Sequence, residues 1–447
     1  MNKRIIMLMA AALALLSASS QVSFIGYGEH HPIVVKPDKA LTGLDSIFVV
    51  FDTDGVGMSF TSTNGEPAMW QSYDLHTWGS PEDIPFRWNG HETILDQVIP
   101  NKGYIITQGT RPHYYWVVNY ADYYLSLNDI FIINDNPCSL VNFRVDGEGH
   151  KITYSSVHGN VEVLDRDIQL SYYTLAREDS TNWEETPAIE SFESLDEGIT
   201  VDPPLCNTVF TLSGDCFLRE WGLEETIKSQ FYTTEAVSCG TIAVQEKRDN
   251  NNEKGLDDGL GGSAPVDIKF TGFPTDAVVY RVWEMATDPE FENVILQYNQ
   301  DEVDYSFTEA GTYYMRYRVA NAAGTCEYVS DTYTITVSES ELVCPNVFSP
   351  GSTEGVNDIW KVSYKSLVEF HCWIFNRWGT CVCEFTDPGQ GWDGTYKGRL
   401  VDTGVYYYVV TALGSDGVKY KRRGDITIMR YKKGANGTSG GDMGGGF

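Results

Sequence analysis

Asp52 and Asp54 are the first residues whose spacing suggests catalysis. They follow the apolar segment 47–51 and precede Gly55. Phosphoryl transfer through a carboxylate needs one aspartate as nucleophile, a second as acid and base, and Mg²⁺ held where a strand leads into a helix. Here the chain continues into residues 56–60, which have the composition of another strand. We therefore expect a hairpin turn at 52–55 rather than a catalytic loop.

The other side chains that catalysis uses have no comparable arrangement in the sequence. The eight histidines form no His-Glu-x-x-His pair, and no Gly-x-Ser-x-Gly motif occurs. Cys381 and Cys383 are separated by one residue, not by the two that are typical of zinc and redox pairs. We expect no catalytic residue, no metal site and no cofactor, although the many carboxylates leave a glycan hydrolase open as an alternative.

Aromatic side chains near the start of the chain offer a different chemistry, the stacking of sugar rings. Trp70, Trp78, Trp88 and Trp116 lie within residues 21–128. Aromatic faces pack on apolar partners, so one exposed groove of these rings would indicate a carbohydrate-binding module for a host or cell-surface glycan. Alternation along a strand divides such residues between two faces, which favours packing in a core. Burial of the four rings would therefore indicate a scaffold.

The first 20 residues predict export. Lys3 and Arg4 precede an apolar segment, 5–16, that is too short to span a bilayer, and small residues follow it. These are the features of a secretory signal peptide, and the mature chain is expected to begin near Gln21. No later segment has 18 uninterrupted apolar residues.

Cysteines in an exported protein are expected to form disulfides, and the nine of this chain leave at least one unpaired. They are Cys138, Cys206, Cys216, Cys239, Cys326, Cys344, Cys372, Cys381 and Cys383. Alternate residues of a strand share a face, so Cys381 or Cys383 is expected to meet Cys372 across a hairpin. Metal binding and free thiol chemistry are the alternatives for this cluster.

The charge of the chain excludes one class of partner. With 62 acidic and 32 basic residues the formal net charge is −30, so the field repels nucleic acid. The 42% of hydrophobic residues exclude a disordered acidic chain. Residues 178–202 contain nine acidic and no basic residues. A solvated loop is expected there, with a calcium-binding or docking surface as the alternative.

Alternation with period two, interrupted by Gly, Asn, Asp and Pro, predicts an all-β chain of tandem β-sandwich modules of the Ig-like or PKD-like type. The only helix-like stretch is 222–231. The predicted organisation is a signal peptide at 1–20, an aromatic-rich β domain at 21–128, a cysteine-containing β-sandwich at 129–245, a linker at 246–265 and an Ig-like or PKD-like module at 266–339. The composition of 246–265 is typical of a flexible linker or an exposed loop.

A short motif supports the assignment of the module at 266–339. Phe307-x-x-x-Gly311-x-Tyr313 leads into an alternating strand. Gly-x-Tyr at the start of a strand resembles the tyrosine corner of Ig-type and PKD-type sandwiches.

Five motifs follow in order after Cys344. Their residues are Pro345, Asn346, Phe348, Ser349 and Pro350; Asn357 and Asp358; Phe375, Asn376, Arg377, Trp378 and Gly379; Gly391, Trp392, Asp393 and Gly394; and Gly404, Tyr406 and Tyr407. This series closely resembles the gliding-motility-associated C-terminal domain, the type B sorting domain of type IX secretion cargo. The resemblance implies a small C-terminal β-sandwich at 344–431, followed by a glycine-rich tail at 432–447. One aspartate usual in the loop after Ser349-Pro350 is missing, which weakens a cation site there even though Glu354 and Asp358 carry oxygens.

The resemblance also implies partners and a location. Such a domain directs passage through the outer-membrane translocon and retention by an outer-membrane carrier or anchoring protein, so we expect an outward-facing surface protein or a secreted one. Residues 419–433 contain seven basic residues and one acidic residue. Lys421, Arg422 and Arg423 are candidates for docking on an acidic translocon or carrier surface. The alternative is a solvated sheet edge whose charges prevent aggregation.

The sequence thus predicts a non-enzymatic, exported protein with a structural or adhesive role. A surface carbohydrate-binding module or glycan hydrolase is the alternative.

Overall fold

The computed structural model describes residues 21–133, 136–177, 179, 181–256, 259–352 and 355–429. The predicted signal peptide, Glu354 and the glycine-rich tail lie outside these residues. The chain divides into two compact units, Met1–Leu175 with Glu185–Thr234, and Ala176–Glu184 with Glu235–Phe447. Each unit is built almost entirely of strands, as the alternation of the sequence predicts.

The first half of unit one has ten strands. They are β1 (Val22–Ile25), β2 (Ile33–Val35), β3 (Ser46–Val50), β4 (Gly57–Thr61), β5 (Met69–Tyr73), β6 (Glu82–Asp83), β7 (Arg87–Trp88), β8 (Glu92–Leu95), β9 (Lys102–Gln108) and β10 (Arg111–Asn119). A short helix, α1, spans Lys39–Thr42, and a 3₁₀ turn spans Tyr120–Tyr123. The strands form two sheets, β1-β4-β8-β7 and β2-β3-β10-β9-β5-β6.

The turn at 52–55 does not form the predicted hairpin. Strand β3 already has a neighbour on each edge, β2 and the parallel strand β10. Strand β4 pairs instead with β1 and β8 in the other sheet. The Asp52–Gly55 segment therefore carries the chain from one sheet to the other.

The second half of unit one has nine strands and one helix. They are β11 (Ser126–Ile133), β12 (Val141–Glu148), β13 (Ile152–Ser155), β14 (Val161–Leu164), β15 (Ile168–Ala176), β16 (Glu184–Phe192), β17 (Ile199–Val201), β18 (Thr211–Ser213), α2 (Cys216–Trp221) and β19 (Thr226–Lys228). The sheets are β11-β12-β17, β13-β14 and β16-β15-β18-β19. One cluster of buried side chains joins both halves, since it includes Leu44 and Trp116 as well as Ile168 and Phe210. The predicted boundary at 128 thus does not separate two cores.

Two local predictions in this region are wrong. The sequence predicted a helix-like stretch at 222–231, but α2 ends at Trp221. Gly222 ends it by taking the left-handed conformation (φ 73°), and Asp215 caps its N-terminus. The acidic stretch is exposed as expected, but Glu184–Phe192 is a strand at the edge of its sheet and not a loop. Solvated charges are compatible with an edge strand, so acidic composition alone does not indicate a loop.

Unit two begins with an Ig-like module of nine strands. They are β20 (Cys239–Gln245), β21 (Gly261–Gly262), β22 (Val266–Pro274), β23 (Tyr280–Ala286), β24 (Val294–Tyr298), β25 (Glu302–Phe307), β26 (Gly311–Ala320), β27 (Glu327–Val329) and β28 (Tyr333–Val337). They form the sheets β20-β22-β25 and β21-β28-β26-β23-β24, with β27 added to β26. Strand β20 pairs with β22 over its full length, so residues 246–265 lie between the first strands of this module.

The C-terminal module completes unit two. Its strands are β29 (Glu341–Val343), β30 (Val347–Phe348), β31 (Ser363–Lys365), β32 (Leu367–Phe375), β33 (Cys381–Phe385), β34 (Thr395–Tyr396), β35 (Arg399–Leu400), β36 (Gly404–Gly414) and β37 (Lys419–Ile428). The main sheet has the order β30-β37-β36-β32-β33, and β29-β31 and β34-β35 form two-stranded ribbons. Trp360, Trp392 and Ile374 lie in one buried cluster. Across the described parts of both units, no helix has the length and apolar character to cross a membrane.

Candidate functional site

The four tryptophans of the first unit do not line one groove. Trp70 is fully buried and donates from Nε1 to Thr93 Oγ1 at 2.9 Å. Trp116 is buried in a different cluster. Trp88 is half-buried, and Trp78 is 45% exposed. Two of the four rings are thus buried in separate clusters and two are not, so the four do not form the single exposed groove that sugar stacking would need.

Three hydrogen bonds hold the Asp52–Gly55 segment in a turn. The Asp54 amide donates to Asp52 Oδ1 at 3.0 Å, the Gly55 amide donates to Gln97 Oε1 at 3.1 Å, and Gln97 Nε2 donates to the Thr53 carbonyl at 2.8 Å. A strand, not a helix, follows. Among the described residues of the whole chain, no group of three or more His, Cys, Asp or Glu side chains is arranged to hold a metal ion.

The C-terminal module brings three of its sequence motifs together around two tryptophans. Trp360 and Trp392 are fully buried, and their backbones exchange hydrogen bonds of 2.8 and 2.9 Å. Trp360 Nε1 donates to the Pro345 carbonyl at 2.7 Å, and the Phe348 ring lies 5.4 Å from that of Trp392. Phe348, Trp360 and Trp392 therefore hold the fold together, and because they are buried they are not available to a partner.

Two aspartates of the motifs also have structural partners. Asp358 accepts from the amides of Gly351 and Gly355 at 2.9 and 2.7 Å, which closes the loop after Pro350. Asp393 accepts from the Thr395 amide at 2.9 Å. Both carboxylates are used by backbone donors, and the bond of Asp393 to the amide two residues on is that of an Asx turn.

The C-terminal module repeats the tyrosine corner of the Ig-like module. Tyr313 donates from its hydroxyl to the Glu309 carbonyl at 3.1 Å, as the motif predicts. Tyr406 makes the same bond to the Asp402 carbonyl at 3.0 Å, also four residues upstream. Sequence reasoning missed this second corner, although the same Gly-x-Tyr signal is present at Gly404.

A few motif residues face solvent instead. At the turn between β32 and β33, Asn376 Oδ1 accepts from the amides of Trp378 and Thr380 at 3.0 and 2.9 Å. This turn leaves the Trp378 side chain 73% exposed, with the Arg377 guanidinium 4.2 Å from the ring centroid. Tyr407 is 49% exposed. These side chains contribute little to the core and are available for contact.

The three candidate docking cations lie on two faces of β37. The register pairs Lys421 with Thr411, Arg422 with Val410 and Arg423 with Val409. Since side chains alternate along a strand, Lys421 and Arg423 share the outer face, whereas Arg422 lies on the other side, over the Tyr420 ring.

The outer face of this sheet carries a shallow concavity of about 690 Å³. His371, Lys419 and Lys421 are among its lining residues. His371 Nε2 lies 2.8 Å from Glu384 Oε1, and its ring stacks on Trp373 at 3.7 Å. The face therefore combines cations with the carboxylates of Glu369 and Glu384 and with the half-buried rings of His371 and Trp373.

Comparison with known families agrees with the motif series. Residues 342–428 match the family described as CHU_C Type IX secretion signal domain. The C-terminal module is a type IX secretion signal domain. A chain that carries this signal domain is an exported one, found at the cell surface or secreted. Residues 132–229 match the family Fibronectin type III domain, and all of them except 176–184 belong to unit one.

Solved structures of tandem modules give only weak overall similarity. One is "Crystal structure of chicken CNTN1 FN1-FN3 domains", with 14% identity over 69% of this chain and 100% of that chain and a TM-score of 0.22. Another is "Three N-terminal domains of the bacteriophage RB49 Highly Immunogenic Outer Capsid protein (Hoc)", with 10% identity over 68% and 99% and a TM-score of 0.21. No curated protein matches the chain significantly.

The predicted bridge to Cys372 in the signal domain is not formed. Cys372, Cys381 and Cys383 are free thiols. The register sets Cys372 opposite Phe385 and Cys383 opposite Ile374, so the two cysteines are diagonal neighbours, too far apart for a strain-free disulfide. Burial raises the pKa of Cys383 to about 11 and raises that of Cys372 further, so both stay protonated. Elsewhere, Cys138 and Cys326 are disulfide-bonded.

Proposed function

We propose that the protein is a non-enzymatic structural or adhesive component that is displayed on the outer membrane, facing outward, or shed from the cell. The signal domain carries this proposal, because it marks the rest of the chain as its cargo. Burial of Trp70 and Trp116 in two separate cores supports a scaffold role for the cargo. The predicted signal peptide at 1–20 would bring the chain to the periplasm first.

The partners that we propose are the type IX translocon and an outer-membrane carrier or anchoring protein. The buried members of the signal motif hold the fold together, so recognition falls to its exposed members. Arg377 and Trp378 present a cation and an aromatic ring at one turn, a combination that is enriched at protein interfaces.

The outer face of β37 is the proposed docking surface for an acidic partner. Lys419, Lys421 and Arg423 project there, and Asp425 is the acidic residue on the same face of the strand. In a chain of charge −30, a local cationic face steers a negatively charged partner to this position. Arg422 is not part of this surface, because it lies on the opposite side.

Deletion of residues 344–447 tests the export assignment. We expect the truncated chain to stay in the periplasm, whereas the full chain reaches the cell surface or the medium. Fractionation of cells and surface labelling would measure the distribution. An unchanged surface fraction after deletion would contradict the proposal.

Charge reversal tests the docking surface. The variant with Lys421→Glu and Arg423→Glu is expected to lower the exported fraction strongly, while its thermal unfolding stays near that of the wild type, because exposed substitutions change stability little. Arg422→Glu is the matched control on the same strand. Equal export by the double variant and the control would rule out this face as the docking site.

A further inference from the structure

The segment between β20 and β21 is bound to the signal domain rather than free. We call residues 250–254 the strap. Its backbone lies parallel to β31: the Tyr364 amide donates to the Asn252 carbonyl at 3.0 Å, and the Lys254 amide donates to the Tyr364 carbonyl at 2.7 Å. The strap thus makes one parallel bridge, Glu253 to Tyr364, on the free edge of the two-stranded ribbon β29-β31. Two-stranded ribbons are marginal in water, so these added backbone bonds support the ribbon.

The side chain of Asn252 strengthens this attachment. Its Nδ2 donates to the carbonyl of Val362 at 2.9 Å and to that of Pro388 at 2.7 Å. Val362 is fully buried within the core of the signal domain. Without the strap these carbonyls would have to find other donors, and a buried carbonyl without one is unfavourable.

Glu253 makes the contact specific. Its carboxylate is almost completely buried, accepts from the Tyr364 hydroxyl at 3.1 Å and forms an ion pair with Arg248 at 2.9 Å. A buried charge is tolerated only when its partners are in place. The strap therefore has one register on β31, set by Glu253 against Tyr364.

A second set of contacts fixes the chain where it leaves the strap region. The Ser366 amide donates to Ser263 Oγ at 2.7 Å, and the Ala264 amide donates to Ser366 Oγ at 3.1 Å. All three residues are buried. The segment that the sequence assigned as a linker thus holds the signal domain at both of its ends.

We infer that the strap is a working part of the export signal, so that the export-competent unit comprises the strap, the Ig-like module and the signal domain together. The matched residues 342–428 lack Asn252 and Glu253, and with them the backbone and side-chain bonds that the strap makes to the signal domain. A second consequence is that a cut at residues 338–340 leaves the signal domain attached to the cargo through the strap.

This inference rests on the proposed export function, and the experiment separates the two. In the full chain, Asn252→Ala removes the two side-chain bonds, and Asn251→Ala is the control, since Asn251 makes an exposed contact to Lys361. We expect Asn252→Ala to raise the rate of proteolysis within the signal domain about tenfold and to lower the exported fraction, while the control behaves as the wild type. Glu253→Gln, which keeps the shape of the side chain, is expected to give a smaller change in the same direction.

The outcomes are distinct. The strap inference is overturned if Asn252→Ala and Glu253→Gln leave the exported fraction unchanged while deletion of 344–447 still abolishes export. If the deletion itself leaves the chain at the surface, the export function fails, and the strap inference fails with it.

Discussion

Some single residues of this protein stabilise several elements at once, and Asp215 is the clearest case. Its Oδ2 accepts from Arg166 Nε and Nη2 at 2.8 and 2.6 Å and from the Tyr120 hydroxyl at 2.9 Å, while Oδ1 accepts from the Leu218 amide at the start of α2. Arg166 also donates to the His150 carbonyl at 2.8 Å. Both charged side chains are completely buried. Together they tie the 3₁₀ turn at Tyr120–Tyr123 and the loops that contain His150 and Arg166 to the helix.

Asp215→Ala is therefore expected to destabilise the protein by about 3–5 kcal/mol, because it leaves the buried Arg166 without the carboxylate that balances its charge. Denaturant unfolding of the full chain, followed by tryptophan fluorescence, would measure the change. Arg87→Ala is the matched control, since the Arg87–Asp96 pair is exposed and a surface pair contributes little. Similar losses for both variants would contradict the assignment of Asp215 as the central partner.

At the scale of elements, close contacts between two segments of backbone depend on residues that are distant in sequence. Gly391 lies where the chain crosses Trp360, and a Cβ atom added there would lie 2.6 Å from the Trp360 carbonyl oxygen. That oxygen accepts the amide hydrogen of Trp392, so the motif Gly-Trp-Asp-Gly needs a glycine at its first position for a packing reason. Gly394, at its last position, has φ +77° in the left-handed region that favours glycine.

Gly391→Ala is expected to lower the melting temperature of the signal domain by several degrees, because the two backbones must move apart and lose a hydrogen bond. Thermal unfolding followed by near-ultraviolet circular dichroism would detect the loss of packing around Trp360 and Trp392. Gly259→Ala is a suitable control in the same unit, since a Cβ atom there meets nothing within 4 Å. An unaltered melting temperature for Gly391→Ala would refute this explanation of the motif.

At the scale of the whole molecule, the net charge of −30 is the dominant property of the surface. Edge strands such as β16 carry part of it, and repulsion between acidic edges opposes association of one sheet with another. The cationic outer face of β37 is a local exception, which is why its function is testable by charge reversal.

Self-association is therefore expected to increase as the pH falls toward about 4.5, the isoelectric point of the sequence, because the net repulsion vanishes there. Light scattering of the purified chain between pH 8 and pH 4 would record the onset. Addition of salt at neutral pH, which screens the same repulsion, should shift the onset to higher pH. Constant scattering throughout this range would contradict the role given to the acidic surface.

The sequence by itself determined the fold class, the signal domain and the tyrosine corner at Tyr313. Each depends on a local pattern: alternation with period two, five motifs in order, or a Gly-x-Tyr triplet. The limits of local reasoning appear at Gly222, where a glycine that ends one helix was taken for the start of another.

Tertiary structure alone decided which of these residues are available to a partner. Trp392 and Trp378 belong to similar motifs, yet one is buried and the other exposed, because only the first pairs with the backbone of Trp360. Lys421 and Arg422 are adjacent in sequence but lie on opposite faces, since their orientation follows from pairing with β36. The strap is the strongest example: its polar composition suggests free chain, and only long-range contact with Tyr364 makes it part of the signal domain.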